Sequence, residues 1–218
     1  MQYRSQDIHL LHIATVIWLV LIVLMLKAPR GDLCYHGAVN ILITGTSGSG
    51  KSTIGKLLKG RGYNFIEADS DKYNGTSIAY YRNKKSGEGI NMPWPPPKNW
   101  ADENDWVWRP QVIQELLAAN SDKANIMSGD SRNKQEAYHL FDKIFVLTTD
   151  DKTLYDRLQK RQGNDFGKDP DEYAWVVKEN KTIATDLAKA GAIVIDTTKP
   201  TEEVVNQIIG HINEMKQL

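Results

Sequence analysis

The chain has 218 residues, and its 27 Lys and Arg balance 27 Asp and Glu, so the formal net charge is zero. A composition of 41% hydrophobic and 25% charged residues excludes an intrinsically disordered chain, and the neutral balance gives no basic field for nucleic acid. The single cysteine, Cys34, excludes an internal disulfide and suits a reducing compartment.

The first feature along the chain is IHLLHIATVIWLVLIVLML, residues 8–26, which carries no Asp, Glu, Lys or Arg. As a helix it would measure ~28 Å against the ~30 Å hydrocarbon core of a bilayer, and it has no polar face. Lys27 and Arg30 make the following flank the more basic one. That predicts an N-terminal apolar, transmembrane helix that leaves the rest of the chain in the cytoplasm. Two other readings stand beside the anchor: a start-site extension ahead of Met25, which leaves a soluble cytoplasmic protein, and a helix packed on a partner. Residues 1–38 are therefore expected as an apolar segment and linker, and 39–218 as the functional domain.

From Val39 onward, short apolar runs alternate with helical patterns. Strands are predicted at Val39–Ile43, Asn64–Ala68, Ala124–Ser128, Lys143–Thr148 and Ala192–Asp196, each of the length and β-branched content of a buried parallel strand. Helices are predicted over Ser52–Lys59, over Gln111–Asn120 behind Pro110, from Asp169-Pro170 to Gly191, and after Pro200. Alternating β and α gives a three-layer α/β/α sandwich around a five-stranded parallel sheet. Lys72 to Arg109 breaks the rhythm. It holds MPWPPPKNWADENDWVWRP, with four of the six tryptophans (Trp94, Trp100, Trp106, Trp108), and its prolines oppose regular structure. A loop this long is functional or disordered, and the tryptophans argue against disorder. They read either as a stacking surface for a base or sugar, with Arg82 or Arg109 pairing a substrate anion, or as the core of a small insertion.

Directly after the first strand stands Gly45-Thr46-Ser47-Gly48-Ser49-Gly50-Lys51-Ser52, a full match to G-x-x-x-x-G-K-[ST]. Gly45, Gly48 and Gly50 let successive backbone N–H groups, including those of Ser49, Ser52 and Thr53, turn toward phosphate oxygens at the positive end of the next helix. Lys51 reaches the β- and γ-phosphates, and Ser52 supplies one Mg²⁺ position. The cofactors implied are ATP and Mg²⁺.

GTSGSGKSTIGKLL followed by NFIEADSD resembles the P-loop small-molecule kinases, the group of adenylate, shikimate and gluconate kinases within the P-loop NTPases. Asp69-x-Asp71 is similar to the Asp-Ser-Asp of shikimate kinases. The resemblance implies that Asp69 holds Mg²⁺ through water and that Asp71 binds the acceptor hydroxyl as its base. Ser128-Gly129-Asp130-Ser131-Arg132 resembles the Asp-Gly-x-Pro-Arg of adenylate kinases without its first Asp and its proline, which would place Arg132 on an acceptor-side phosphate. Arg157 and Arg161, four apart on one helix face, resemble the lid entry of adenylate-kinase-like enzymes, one arginine stacking on adenine and the other clamping phosphates. Gly163 and Gly167 supply a lid over about 157–169. Residues about 72–109 then form the acceptor-binding insertion, and the acceptor itself is not legible.

The resulting expectation is an ATP-dependent kinase that transfers the γ-phosphoryl group to a small acceptor, a nucleoside, nucleotide, or shikimate- or gluconate-like hydroxyl compound. Two alternatives stand: a non-catalytic nucleotide-binding adaptor whose tryptophan-rich insertion binds a partner, and a regulatory GTPase or ATPase switch. The switch would use Asn133-Lys134-Gln135-Glu136 as a guanine-reading motif, although Glu replaces its Asp. No nucleic-acid partner is expected, and residues 8–26 are the candidate membrane contact.

Overall fold

A computed structural model describes residues 38–215 apart from 94, 95, 98 and 121. The apolar run 8–26, Cys34 and Trp94 lie outside the described residues. Among those described, no helix is long and apolar enough to cross a membrane.

Five strands form a parallel sheet: β1 (Asn40–Thr44), β2 (Asn64–Glu67), β8 (Asn125–Ser128), β9 (Lys143–Thr148) and β10 (Ile193–Asp196), in the order β10-β9-β1-β8-β2. All five were expected, to within a residue. Each is short, and the central strands β1, β8 and β9 are apolar and buried on both faces, whereas the edge strand β10 exposes Val194. In β1, Ile41 and Ile43 face one layer and Leu42 faces the other, all three fully buried. The first layer is α1 (Lys51–Gly60), through Ile54 and Leu58, with α6 (Thr201–Met215), through Val204, Val205, Ile208 and Ile212. The second is α3 (Pro110–Ala119), through Ile113 and Leu117, joined by Trp108, Ile78 and Phe141. Two more helices, α4 (Asp151–Lys160) and α5 (Pro170–Lys189), meet through Leu154, Leu158 and Val176, and α5 also covers Val146 with Ile183 and Leu187.

The helix ends follow their sequence signals. Pro110 and Pro170 occupy the first turns of α3 and α5, and the Asp169 carboxylate accepts from the Asp171 N–H at 3.0 Å. Because all five strands run the same way, their carboxyl ends open on one side, and β1 lies between β9 and β8 where the strand order reverses. Ligands bind such sheets outside the strand ends at that reversal.

The segment 72–109 departs from expectation. In place of an irregular loop, it builds two small antiparallel sheets. A hairpin pairs β3 (Lys72–Tyr73) with β4 (Thr76–Ser77) around Asn74-Gly75, both at positive φ (49° and 79°). The second sheet orders β6 (Gly89–Ile90), β5 (Ala79–Asn83) and β7 (Asn104–Trp108), with the short helix α2 (Trp100–Glu103) leading into β7. The register sets Ala79 opposite Trp108 and Tyr81 opposite Trp106, so one face of this sheet is aromatic. Trp108, 1% exposed, plants that face in the core beneath Gly129, where an added Cβ would lie 3.0 Å from the indole.

Candidate active site

The loop between β1 and α1 wraps the entry of the helix. Its tightest point is Gly45, at φ 142°, where a Cβ would fall 2.5 Å from the carbonyl oxygen of Leu147 on β9, so only glycine fits. Gly50 precedes α1 in a left-handed conformation (φ 101°), and Gly48 lies against Leu154 and Leu158 of α4. Ser49 is fully buried, and its hydroxyl has no partner among the described residues. Thr53 is exposed on the first turn of α1.

Lys51 donates to the carbonyls of Gly45 at 2.7 Å and Thr46 at 2.9 Å, so its ammonium is held inside the loop that it closes. Burial lowers its pKa, and the carboxylates of Asp130 and Asp69 oppose that shift. These two carboxylates are the anionic neighbours that define the site.

Asp69, just past β2, accepts from the indole Nε1–H of Trp106 at 3.0 Å. Desolvation raises its pKa, while Lys51 and the Trp106 hydrogen bond pull it back. Asp130, two residues past β8, accepts on one oxygen, Oδ1, from Lys134 Nζ at 2.7 Å and from Thr44 Oγ1 at 3.2 Å. Ser52 Oγ donates to Glu67 Oε1 in a close hydrogen bond.

Asp71 does not join this group. Its Oδ2 accepts from the Glu67 N–H at 2.7 Å, and its own N–H donates to the Glu67 carbonyl at 2.8 Å. The carboxylate thus closes the turn after β2, and the acid facing Lys51 is Asp69, whereas Asp71 was the one expected as acceptor base. Arg132 is exposed, and among the described residues only its backbone is engaged, donating to the Trp106 carbonyl at 2.9 Å. The side chain that points inward from this stretch belongs to Lys134.

Arg157 of α4 and Arg161, the extended residue just past its end, approach the loop from separate sides, so the expected pair on one helix face is not formed. Arg157 donates to Thr197 Oγ1 at 2.9 Å, to the Thr197 carbonyl at 2.7 Å and to the Ser49 carbonyl at 3.5 Å. Arg161 donates to Ser47 Oγ at 2.9 Å, to the Asn164 carbonyl at 2.8 Å, and in a close contact to the Phe166 carbonyl. Burial lowers the pKa of both guanidinium groups. The expected lid, about 157–169, folds down on α4: Gly167 is buried against Leu158 and Val176, and its N–H donates to Glu172 at 2.7 Å. Asn180, buried mid-helix on α5, accepts from Thr46 Oγ1 at 3.3 Å and donates to the Thr149 carbonyl at 2.7 Å, tying the loop to β9.

The guanine-reading alternative finds no support in the place of its motif. Asn133 is packed against β7, accepting from the Trp108 N–H at 2.8 Å and donating to the Trp108 carbonyl at 3.1 Å, while Lys134 pairs with Asp130.

An open pocket of about 480 Å³ is walled by Tyr80, Tyr81, Trp106, Ile90, Met92 and Arg109, among others, and Trp106 links it to Asp69. Arg109 carries the one formal charge among its described lining residues. Its guanidinium lies 3.7 Å over the Tyr80 ring and donates to the Ser77 carbonyl at 2.8 Å.

No three His, Cys, Asp or Glu side chains cluster into a metal cage among the described residues. Mg²⁺ does not need one, since it binds through one or two oxygen ligands, substrate phosphates and water. The hydroxyl of Ser52 and the carboxylates of Asp130 and Asp69 are hard oxygen donors of that kind.

A family profile described as an AAA domain matches residues 41–178. This chain belongs to the AAA-domain family. Its fold is that of the P-loop small-molecule kinases. A shikimate kinase from Acinetobacter baumannii in complex with shikimate superposes with a TM-score of 0.53 at 17% identity, covering 84% of this chain and 97% of that one. A protein of Thermus thermophilus gives a TM-score of 0.51 at 14% identity, covering 82% and 98%. A gluconokinase from Sinorhizobium meliloti 1021 is 22% identical, with a TM-score of 0.49 over 82% and 94%. No curated protein matches the sequence.

Asp130, Glu67 and Asn180 were not assigned to the site from sequence, Lys134 was read only within the guanine motif, and Trp106 only as one of four stacking candidates. An acid just past the strand that neighbours β1 is a general signal for Asp130, because that strand's carboxyl end opens beside the loop. Trp106 belonged to a visible cluster, but nothing local distinguishes it from its three companions.

Proposed function

We propose that this protein is an ATP-dependent kinase that transfers the γ-phosphoryl group to the hydroxyl of a small molecule held in the cavity of the 72–109 insertion. The observation that carries this reading is the convergence of Lys51, Asp69 and Asp130 at the mouth of the phosphate-binding loop, with the cavity wall Trp106 bonded to Asp69.

The loop N–H groups and Lys51 hold the β- and γ-phosphates, and Arg161, anchored to Ser47, faces the same charge from just past α4. Ser52 and Asp130 would hold Mg²⁺, which when bound would neutralise phosphate charge. Asp130 suits that place because its Oδ1 is fixed by Thr44 and Lys134, leaving Oδ2 to turn to the site. Asp69 takes the acceptor's proton. The acceptor oxygen bonds to the γ-phosphorus, the bond to the β-phosphate oxygen breaks, ADP leaves with that electron pair, and the hydroxyl proton passes to the Asp69 carboxylate. Its raised pKa makes that carboxylate a stronger base than an ordinary aspartate. Arg157, at the far end of the loop beside Thr197, offers its flat face to the adenine.

The test is ADP production from ATP and Mg²⁺ by the full chain against nucleosides, nucleotides, shikimate and gluconate, with Lys51→Ala as blank. An acceptor that raises ADP formation and becomes phosphorylated supports the reading. Tight ATP binding with no stimulated turnover favours the adaptor instead.

A further inference from the structure

Trp106 touches two things that a kinase must coordinate. Its indole walls the cavity, and its Nε1–H donates to Asp69 Oδ1 at 3.0 Å. The ring itself is fixed from behind. Tyr81, its cross-strand partner, stands 4.7 Å away by ring centroids and tilted at 57°, and Trp100 packs edge-on against Tyr81 at 5.1 Å. The result is an angled corner of two aromatic faces, with Ile90 and Met92 beside it. Such a corner suits a ring, whose flat or C–H-bearing face replaces water on an aromatic surface. An open-chain polyol has no such face to set against them.

Resting on the kinase reading above, we propose that Trp106 both selects and aligns the acceptor. Its ring face admits a ring-bearing hydroxyl compound, a cyclic polyol or a nucleoside, in preference to an open-chain one. Its Nε1–H holds Asp69 Oδ1, so that Oδ2 is the oxygen presented to the acceptor hydroxyl. Trp106 is therefore a positioning residue for Asp69 and a specificity determinant, and the insertion reaches the reaction through it.

Three variants of the full chain separate the two jobs. Trp106→Phe keeps a stacking ring and loses the N–H, Trp106→Leu loses both, and Asp69→Ala removes the hydrogen-bond acceptor. In protein with ¹⁵N-labelled tryptophan, the indole signal absent from Trp106→Phe is that of Trp106. Asp69→Ala should move this signal and speed its exchange with solvent, and an unmoved signal overturns the positioning role whatever the activity. With the stimulating acceptor, Trp106→Phe should cut kcat about tenfold or more with acceptor KM changed less than about threefold, as expected for losing one hydrogen bond to a charged group. Trp106→Leu should raise acceptor KM about tenfold as well, with ATP KM unchanged in both. Parallel loss in ATP KM would mark a merely structural tryptophan and overturn the proposal. Stimulation by gluconate in preference to shikimate and nucleosides overturns ring selection. If no acceptor stimulates the wild-type protein, the kinase reading falls, while the indole signal still decides the Trp106–Asp69 contact.

Discussion

The parallel sheet and the 72–109 insertion hold their functional groups in opposite ways. At the carboxyl end of the sheet, backbone does the holding: a six-residue turn between β1 and α1 wraps the helix entry, and Lys51 is fixed by two carbonyls of its own loop. In the insertion, side chains do it: three rings lock one another, and an arginine lies on a tyrosine. A backbone site is indifferent to most neighbours and suits a ligand part that never changes, the triphosphate. A side-chain site can be rebuilt by substitution and suits the part that sets specificity.

The largest test of that division is Lys51→Ala. Turnover should fall at least ~10²–10³-fold, in line with loss of a charge-stabilising donor, while circular dichroism and Tm stay close to wild type. A loss of folding would show that the loop is held by its lysine and not by its backbone. Next is Trp108→Ala, which removes the anchor between insertion and core. A cost of ~3–5 kcal/mol is expected for a large aromatic at 1% exposure, read as a drop in denaturant midpoint. A much smaller value would mean that the insertion folds independently of the sheet.

The two aspartates after β2 sharpen the comparison further. Asp69→Asn should lower kcat ~10²-fold or more, whereas Asp71→Asn should change it less than ~3-fold and lower stability by ~1 kcal/mol through its turn hydrogen bond. The reverse order would restore Asp71 as the base. Asp69→Asn should also raise Tm slightly at neutral pH. The folded-state pKa of Asp69 lies above its usual range, so the folded state binds the proton more tightly and stability falls as pH rises through that window. Above it the ionised carboxylate is a net cost, which the amide removes while still accepting from Trp106.

The smallest effect lies outside the site. Asp150 caps α4, accepting from the Thr153 N–H at 2.8 Å and the Thr153 hydroxyl at 2.7 Å, and these bonds hold its pKa below the usual carboxylate range. Its contribution is present above the unfolded-state pKa and is lost as pH falls through the lower folded-state value. Asp150→Ala should therefore melt slightly earlier at neutral pH and together with wild type in strong acid. An equal gap at both pH values would assign the effect to backbone propensity.

The sheet was legible because each of its strands is an apolar run that needs no particular partner to be recognised, and Gly45–Ser52 carries its geometry in its own residue types. The insertion was not, because β5 and β7 acquire meaning only when Tyr81 meets Trp106 across more than twenty intervening residues, several of them proline. One local sign was there: Asn74-Gly75, the commonest two-residue hairpin turn, sits between β3 and β4. Asp69 and Asp71 could not be ranked from spacing, since what separates them is which carboxylate the Glu67 N–H captures. Asp130 and Lys134 were hidden for a similar reason. Their pairing is local, but its importance comes from Thr44 on a neighbouring strand.

Thr197 links the ends of this design. Its hydroxyl lies 3.0 Å from the Ser49 carbonyl and 2.9 Å from that of Thr148, and it receives Arg157. The segment beyond β10 is thereby riveted to the phosphate loop. Arg157 closes that rivet from α4, reaching the Ser49 carbonyl at 3.5 Å as well as Thr197. Three elements thus share one fastening, and a change at Thr197 loosens all of them together.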